Sequence, residues 1–276
     1  MNENIFKNIL IKILRKFLKL FGIVIFDRQK YLNNTLDRYN LNLSNILKFL
    51  KISLNKNIII FDVGAHHGKT LIEYQKIFKD AYIHSFEPHP KTFKILENNI
   101  KQYNFKNVFL HNIALGEFKE TKEFYVTENP QLSGFIKPSS IEDTKYKNKL
   151  LLSERYETIT GDNFCNNKNI ISIDILHLDV QGFELAVLKG FTELLIQKKI
   201  SIIVTEFDYT KRYEKKLSIG QFENFFNSLG YSLFDIILLR KNQIYKKSVS
   251  SDPFKIKLTV GTAIFIKDEM IDNLDI

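Results

Sequence analysis

Asn57-Ile58-Ile59-Ile60-Phe61-Asp62-Val63-Gly64-Ala65-His66-His67-Gly68 is the stretch that decides the fold. Asn57–Phe61 is a short, continuous apolar run, the pattern of a central parallel strand covered on both faces, and it ends at Asp62. Gly64 and Gly68 then permit tight turns and remove Cβ atoms from the path of a ligand. A helical pattern, Lys69–Phe78, starts immediately afterwards. Strand, glycine loop and helix in that order open a βαβ unit whose loop is a candidate ligand cradle.

The same alternation continues along the chain. Ala81–Phe86 reads as a second strand stopped at Glu87-Pro88, since proline cannot donate to a ladder, and Lys91–Tyr103 as a helix. Val108–Asn112 predicts a third strand, Phe118–Thr127 an accessory strand or hairpin, and Asn129–Leu152 a polar, irregular segment. A second half repeats the unit with strand Ile173–Leu178, amphipathic helix Phe183–Gln197, strand Ile200–Thr205 and helix Gly220–Ser228. Tyr231–Leu239 and Ile256–Phe265 supply the last strands, the latter on its β-branched content. Strands alternating with helices predict an α/β fold built on parallel strands.

Composition sets the limits. A chain of 276 residues, 44% of them hydrophobic, holds one large core. The expected division is an N-terminal extension over residues 1–50 and one catalytic domain over 51–276. The single cysteine, Cys165, excludes an intramolecular disulfide, and no Cys/His spacing suits structural zinc. The formal charge of +9 is concentrated in residues 1–30, where Lys7, Lys12, Arg15, Lys16, Lys19, Arg28 and Lys30 face only Glu3 and Asp27. With the charge gathered there, no basic stripe marks the catalytic segments, and a nucleic-acid partner is not expected. Within residues 5–21, Phe6, Ile9, Leu10, Ile13, Leu14, Phe17, Leu18 and Phe21 recur at helical spacing between the basic residues. Such a helix docks on its own domain, on the second subunit of a homodimer, or on an anionic membrane surface. Lysines interrupt every long apolar run, so a spanning segment and a signal peptide are not expected, and the expected location is cytoplasmic, with a peripheral position at the inner membrane face open to it.

The loop carries the chemistry. Glu87 follows Gly68 by 19 residues at the end of the second strand, where an acid accepts hydrogen bonds from ribose hydroxyls. That spacing serves NAD and S-adenosylmethionine alike. The loop is G-x-x-x-G rather than G-x-G-x-x-G, and Asp62 stands beside its first glycine. A pyrophosphate avoids an adjacent anion, whereas a sulfonium with a free amino group welcomes one, so the residues favour S-adenosylmethionine, released as S-adenosylhomocysteine.

Five segments in register, Phe61–Gly68, Ser85-Phe-Glu87-Pro-His-Pro90, Asn112-Ile-Ala-Leu-Gly116, Leu178-Asp179-Val-Gln181-Gly182-Phe-Glu184-Leu-Ala-Val-Leu-Lys-Gly190 and Val204-Thr-Glu206, resemble the FkbM family of methyltransferases. The resemblance covers roughly residues 57–210. It implies a Rossmann-like class I methyltransferase fold with a mostly parallel seven-stranded sheet, S-adenosylmethionine as cofactor, and O-methylation of sugars, polysaccharide precursors or natural products. His66 departs from the asparagine common in the family's loop, and Gln181 from the glutamate common in its D-x-E-G segment. The cofactor set expected on these segments is Asp62, Gly64, Ala65, His66, Gly68, Thr70, Glu87, Pro88, Asn112, Ala114, Ser133 and Asp179.

Methyl transfer from a sulfonium needs alignment and a base for the acceptor proton. Asp179, Glu206 and Asp208 sit at strand ends and qualify, while His177 has a suitable ordinary pKa but lies in an apolar Ile-Leu-His-Leu run that also suits a core residue. His66 and His67 are adjacent and do not converge on an ion. Asp179 with Glu206 is the one pair that could hold Mg²⁺ through hard oxygen ligands; no resident metal is expected. Gln131–Gly134 and Ser139-Ser140, in a long segment of the kind that forms lids, and Asp208–Tyr213, with its aromatic residues, are candidates for the acceptor. The leading reading is an O-methyltransferase acting on a carbohydrate such as an activated sugar, glycan or glycolipid precursor. A NAD-dependent oxidoreductase or epimerase, and a nucleic-acid methyltransferase, are the competing classes.

Overall fold

The structure, a computed structural model, describes residues 57–139, 149–208, 213–214, 217–238 and 260–272. The expected helix over residues 5–21 and the boundary at residue 50 lie outside them, as do Ser140 and residues 209–212. In chain order the first half comprises strand β1 (Ile59–Val63), helix α1 (Lys69–Ile77), β2 (Tyr82–Phe86), α2 (Pro90–Lys101), β3 (Val108–His111), β4 (Ala114–Leu115) and β5 (Glu120–Thr127). A 3₁₀ turn (Pro130–Leu132), β6 (Leu150–Ile159) and α3 (Gly161–Lys168) follow. The second half holds β7 (Ile173–Leu178), α4 (Glu184–Lys189), α5 (Thr192–Ile196), β8 (Ile200–Asp208), α6 (Ile219–Asn227), β9 (Tyr231–Leu238), β10 (Val260–Lys267) and α7 (Asp268–Asp272).

The main sheet has seven strands in the order β3-β2-β1-β7-β8-β10-β9, and β4-β6-β5 form a small second sheet. β3, β2, β1, β7 and β8 run parallel, and β10 is antiparallel to both β8 and β9. This is the α/β class and the mostly parallel seven-stranded sheet that the sequence predicts. Side chains alternate between the faces of the strands, so two cores form. Phe61, Phe86, Leu176, Phe191, Phe207 and Phe265 fill one, and Ile60, Leu71, Tyr74, Ile175, Val204 and Ile264 fill the other. Phe61 meets Phe164 and Phe191 edge-on, a favoured aromatic geometry.

Three departures from the sequence reading have local causes. β1 begins and ends two residues later than the expected strand, so Asp62 lies inside it, in register with Ser85 and His177. The helix expected over Phe183–Gln197 is two helices, because the chain turns at Gly190. A Cβ at Gly190 would lie 2.0 Å from the Gly116 carbonyl oxygen, and the Asp162 carboxylate accepts from Glu193 N and Leu194 N, capping the second helix from another element. Finally, β6 and α3 occupy Leu150–Lys168, which carried no element in the sequence reading beyond an irregular segment ending at Leu152. Among the described residues no helix is long and apolar enough to cross a membrane.

Candidate functional site

The strand order reverses between β1 and β7, and the carboxyl ends of these neighbours are where open α/β sheets take ligands. The loop after β1 is pinned there, with Gly64 N and Ala65 N both donating to the Phe86 carbonyl at 3.0 Å. Gly64 has φ +90°, and a Cβ on it would stand 2.0 Å from the Asp179 carbonyl oxygen. Gly68 has φ +87°, and its Cβ would stand 2.8 Å from Leu96 Cδ1. These glycines are required by left-handed backbone and by protein neighbours, which corrects the expectation that they clear a ligand's path. Gly68 also begins α1 without a side-chain cap. The first-turn N–H groups, beside Thr70, are thus not taken by a capping side chain.

Glu87, at the end of β2, is the hub of this half. Its carboxylate accepts from His66 N at 3.1 Å and from His89 N at 2.9 Å, and burial pushes it up to about 7. Each carboxylate oxygen has a second lone pair, which fits the acceptance of two ribose hydroxyls. Asn112 stands beside it, its amide donating to the carbonyls of Glu87 and Pro88. His66, at φ +47°, stacks on His67 and is held neutral by burial, which lowers it to about 4. Ala65 is buried beneath the loop.

Asp62 is 1% exposed and receives the Ser85 hydroxyl at 3.3 Å. Burial, with Asp179 and Glu87 nearby, raises it to about 7, the Ser85 bond opposing the rise. Asp62 thus lies inside the strand, behind the loop, and not exposed at its surface. His177 is corrected outright as a base. Tyr74 of α1 covers that face of β7 and its hydroxyl bonds His177 Nδ1 at 2.9 Å, and burial holds the imidazole down at about 4. It is a hydrogen-bonded residue of the layer between α1 and the sheet. Ala114 is likewise a core residue, and the Ser133 hydroxyl accepts from Thr127 N, tying the 3₁₀ turn to β5.

The second half of the crevice starts at Asp179, whose N–H donates to Val63 and whose carbonyl abuts Gly64. Residues 180–182 then turn through two consecutive left-handed positions, Gln181 at φ +55° and Gly182 at φ +95°. Glu184 clamps this turn, its Oε1 accepting from Val180 N at 3.1 Å and Gly182 N at 3.2 Å, and burial raises it to about 7. Gln181 donates from Nε2 to Asp179 and to Glu206 of β8, and accepts the Tyr213 hydroxyl at 2.6 Å. Gly134 packs against the Gln181 Cβ and Tyr213 also reaches the Leu132 carbonyl, so the segment around Ser133 borders this cluster. Asp208 bridges to Leu217 through the backbone.

The structure thus brings Gly64, His66, Glu87, Asn112, Asp179, Gln181, Glu206 and Tyr213 to one edge of the sheet. Sequence reasoning missed the Glu184 clamp and the Gln181 bridge. An acid in the first turn of a helix after a glycine was the available signal for Glu184, and no sequence signal pairs Gln181 with Glu206. Among the described residues no group of three or more His, Cys, Asp or Glu is placed to hold a metal ion.

Residues 62–233 match the family described as methyltransferase FkbM domain. The chain is 24% identical over 168 residues to the 2-O-methyltransferase NoeI of Sinorhizobium fredii, covering 58% of this chain and 68% of that protein. It is also 24% identical over 147 residues to Methyltransferase 1 of Beauveria bassiana, covering 49% of this chain and 58% of that one. Among solved structures, it resembles M. capricolum TrmK in complex with S-adenosylhomocysteine at a TM-score of 0.43 and 14% identity, over 83% of this chain and 69% of that one.

Proposed function

The chain belongs to the FkbM family of methyltransferases, and from that premise we propose that it methylates a hydroxyl group of a carbohydrate. S-adenosylmethionine is the cofactor, and when bound it supplies an electrophilic methyl group. The residues present fit it. Glu87 offers free lone pairs for ribose, the uncapped start of α1 offers N–H donors, and Asp62, Glu87, Asp179 and Glu184 give the crevice a negative field. That field suits a cationic cofactor and disfavours a pyrophosphate.

The observation that carries the acceptor reading is the cluster of Asp179, Gln181, Glu206 and Tyr213 at the ends of β7 and β8. Carboxylates, an amide and a phenol accept and donate the several hydrogen bonds that a polyol presents. We assign to Asp179 the acceptance of the acceptor's proton, a reading supported by the amide of Gln181 that it shares with Glu206. Their negative charge opposes a nucleic-acid backbone, whose phosphates bind through basic side chains. The 2-O-methyltransferase named among the relatives supports the same reading at modest identity.

The test supplies tritiated S-adenosylmethionine to the full chain with nucleotide sugars, glycolipid extracts and transfer RNA in parallel. Label in the sugar or glycolipid fraction is the expected result. Label in RNA alone overturns the acceptor reading. Calorimetric binding of NAD in place of S-adenosylhomocysteine would contradict the cofactor.

A further inference from the structure

Gln181 stands in an unusual place. Its backbone is left-handed although it is not glycine, a conformation that persists only where the surroundings over-determine it and that concentrates at functional sites. The surroundings do so here. Asp179 N is held by Val63, Val180 N and Gly182 N by the Glu184 carboxylate, and Phe183 N by the Val180 carbonyl, while Gly134 leaves room for the Gln181 Cβ. The side chain is fixed as firmly as the backbone. Two carboxylates, Asp179 and Glu206, accept from its Nε2, and the Tyr213 hydroxyl meets its Oε1 at 2.6 Å. The opposite amide orientation would turn the carbonyl oxygen toward both carboxylates, so chemistry alone selects this one.

We infer that Gln181 is a positioning residue whose carboxamide occupies the gap between Asp179 and Glu206 that a divalent cation would otherwise bridge, so that the acceptor site is organised by hydrogen bonds rather than by a metal. The inference rests on the reading that Asp179 and Glu206 face the acceptor. An amide supplies two N–H donors to anionic oxygens without neutralising their charge, whereas a bound cation would draw that charge away. Asp179 therefore keeps its negative charge while its carboxylate is held in place. Tyr213 locks the far end of the amide, so the phenol also reports on the state of the bridge.

The experiment titrates Mn²⁺ into the full chain in the presence of S-adenosylhomocysteine, reading free Mn²⁺ by electron paramagnetic resonance. Wild type, Asp179→Asn, Gln181→Glu and the double variant Gln181→Glu/Glu206→Gln are compared. Gln181→Glu converts the bridge into a third carboxylate, and it should bind Mn²⁺ at least about tenfold more tightly than wild type. The double variant should lose that gain. In wild type, Asp179→Asn should leave Mn²⁺ binding unchanged. Wild-type Mn²⁺ binding that weakens in Asp179→Asn overturns the inference, as does a folded Gln181→Glu with no gain in affinity. Should Gln181→Glu fail to fold by circular dichroism, the comparison of wild type with Asp179→Asn decides by itself. Calorimetry of S-adenosylhomocysteine on wild type is independent of these results: lack of binding there sinks the cofactor reading and leaves the Mn²⁺ comparison standing.

Discussion

Replacing Glu87 with glutamine should change how the stability of the cofactor-free protein depends on pH. Glu87 is 7% exposed and titrates at about 7 in the fold instead of 4.5. Burial is the main cause, opposed by the two backbone N–H groups that it accepts. The sign follows from linkage. Below pH 4.5 the group is neutral in both states and contributes nothing to the pH dependence. As pH rises toward 7 the unfolded chain releases its proton while the folded chain holds it, so folding loses ground; above 7 the loss is constant. Between pH 5 and 8 the loss from this one group is about 2–3 kcal/mol. Glutamine has no proton to release, so the difference in unfolding free energy between variant and wild type should move in favour of the variant by that amount over the same interval. A constant offset is also expected, because the glutamine amide accepts from only one of the His66 and His89 N–H groups and leaves the other unmatched, costing about 1–3 kcal/mol. Urea unfolding of both proteins at pH 5, 6, 7 and 8 separates the offset from the slope. Curves that stay parallel across this range would refute the assignment of a raised, buried Glu87. The same variant should bind S-adenosylhomocysteine at least about tenfold more weakly by calorimetry, from the loss of charge-assisted bonds to ribose.

Other substitutions test separate parts of the crevice. Gly64→Ala forces a Cβ to within 2.0 Å of the Asp179 carbonyl at a left-handed φ, and it should lower stability by about 2 kcal/mol or more in thermal unfolding while abolishing S-adenosylhomocysteine binding. Glu184→Ala removes the acceptor of two N–H groups and should cost about 2–4 kcal/mol, whereas Glu184→Gln keeps the Oε1 acceptor of both and should be the more stable of the two. Gly161→Ala drives a Cβ to 2.2 Å from the Phe191 ring and should cost about 1–3 kcal/mol by overpacking, measured by chemical denaturation. Asp179→Asn should lower methyl transfer to the acceptor while leaving S-adenosylhomocysteine affinity close to wild type, which calorimetry and a label-transfer assay read separately.

Much of the main sheet was legible because its signals are local. Apolar runs such as Asn57–Phe61 and Ile173–Leu178, the glycine loop and Glu87-Pro88 each state their role within a few residues, and the motif order supplied the rest. What stayed hidden depends on contacts between distant segments. β6 is largely exposed along its length, its opening leucines 150–152 included, and its strand state comes from pairing with β5 and β4, not from an alternating pattern of its own. The break at Gly190 needs the neighbouring Gly116 carbonyl, and nothing near Gly190 announces it. The site divides the same way. Glu87 could be placed by spacing from Gly68, and the apolar run around His177 already suited the core residue it is, but strand register decides the burial of Asp62, and a shift of two residues in β1 carries it into the sheet.

The contact of Gly64 with the Asp179 carbonyl has a consequence for redesign. The loop after β1 and the loop after β7 touch backbone to backbone, so neither can be lengthened or exchanged alone without displacing the other. A chimera that takes one of these loops from a relative with a different acceptor must take both, together with Glu184, or it inherits a mismatched seam. On the proposed acceptor reading, substrate range is transplanted in pairs of loops, and single-loop grafts should yield folded but poorly binding hybrids.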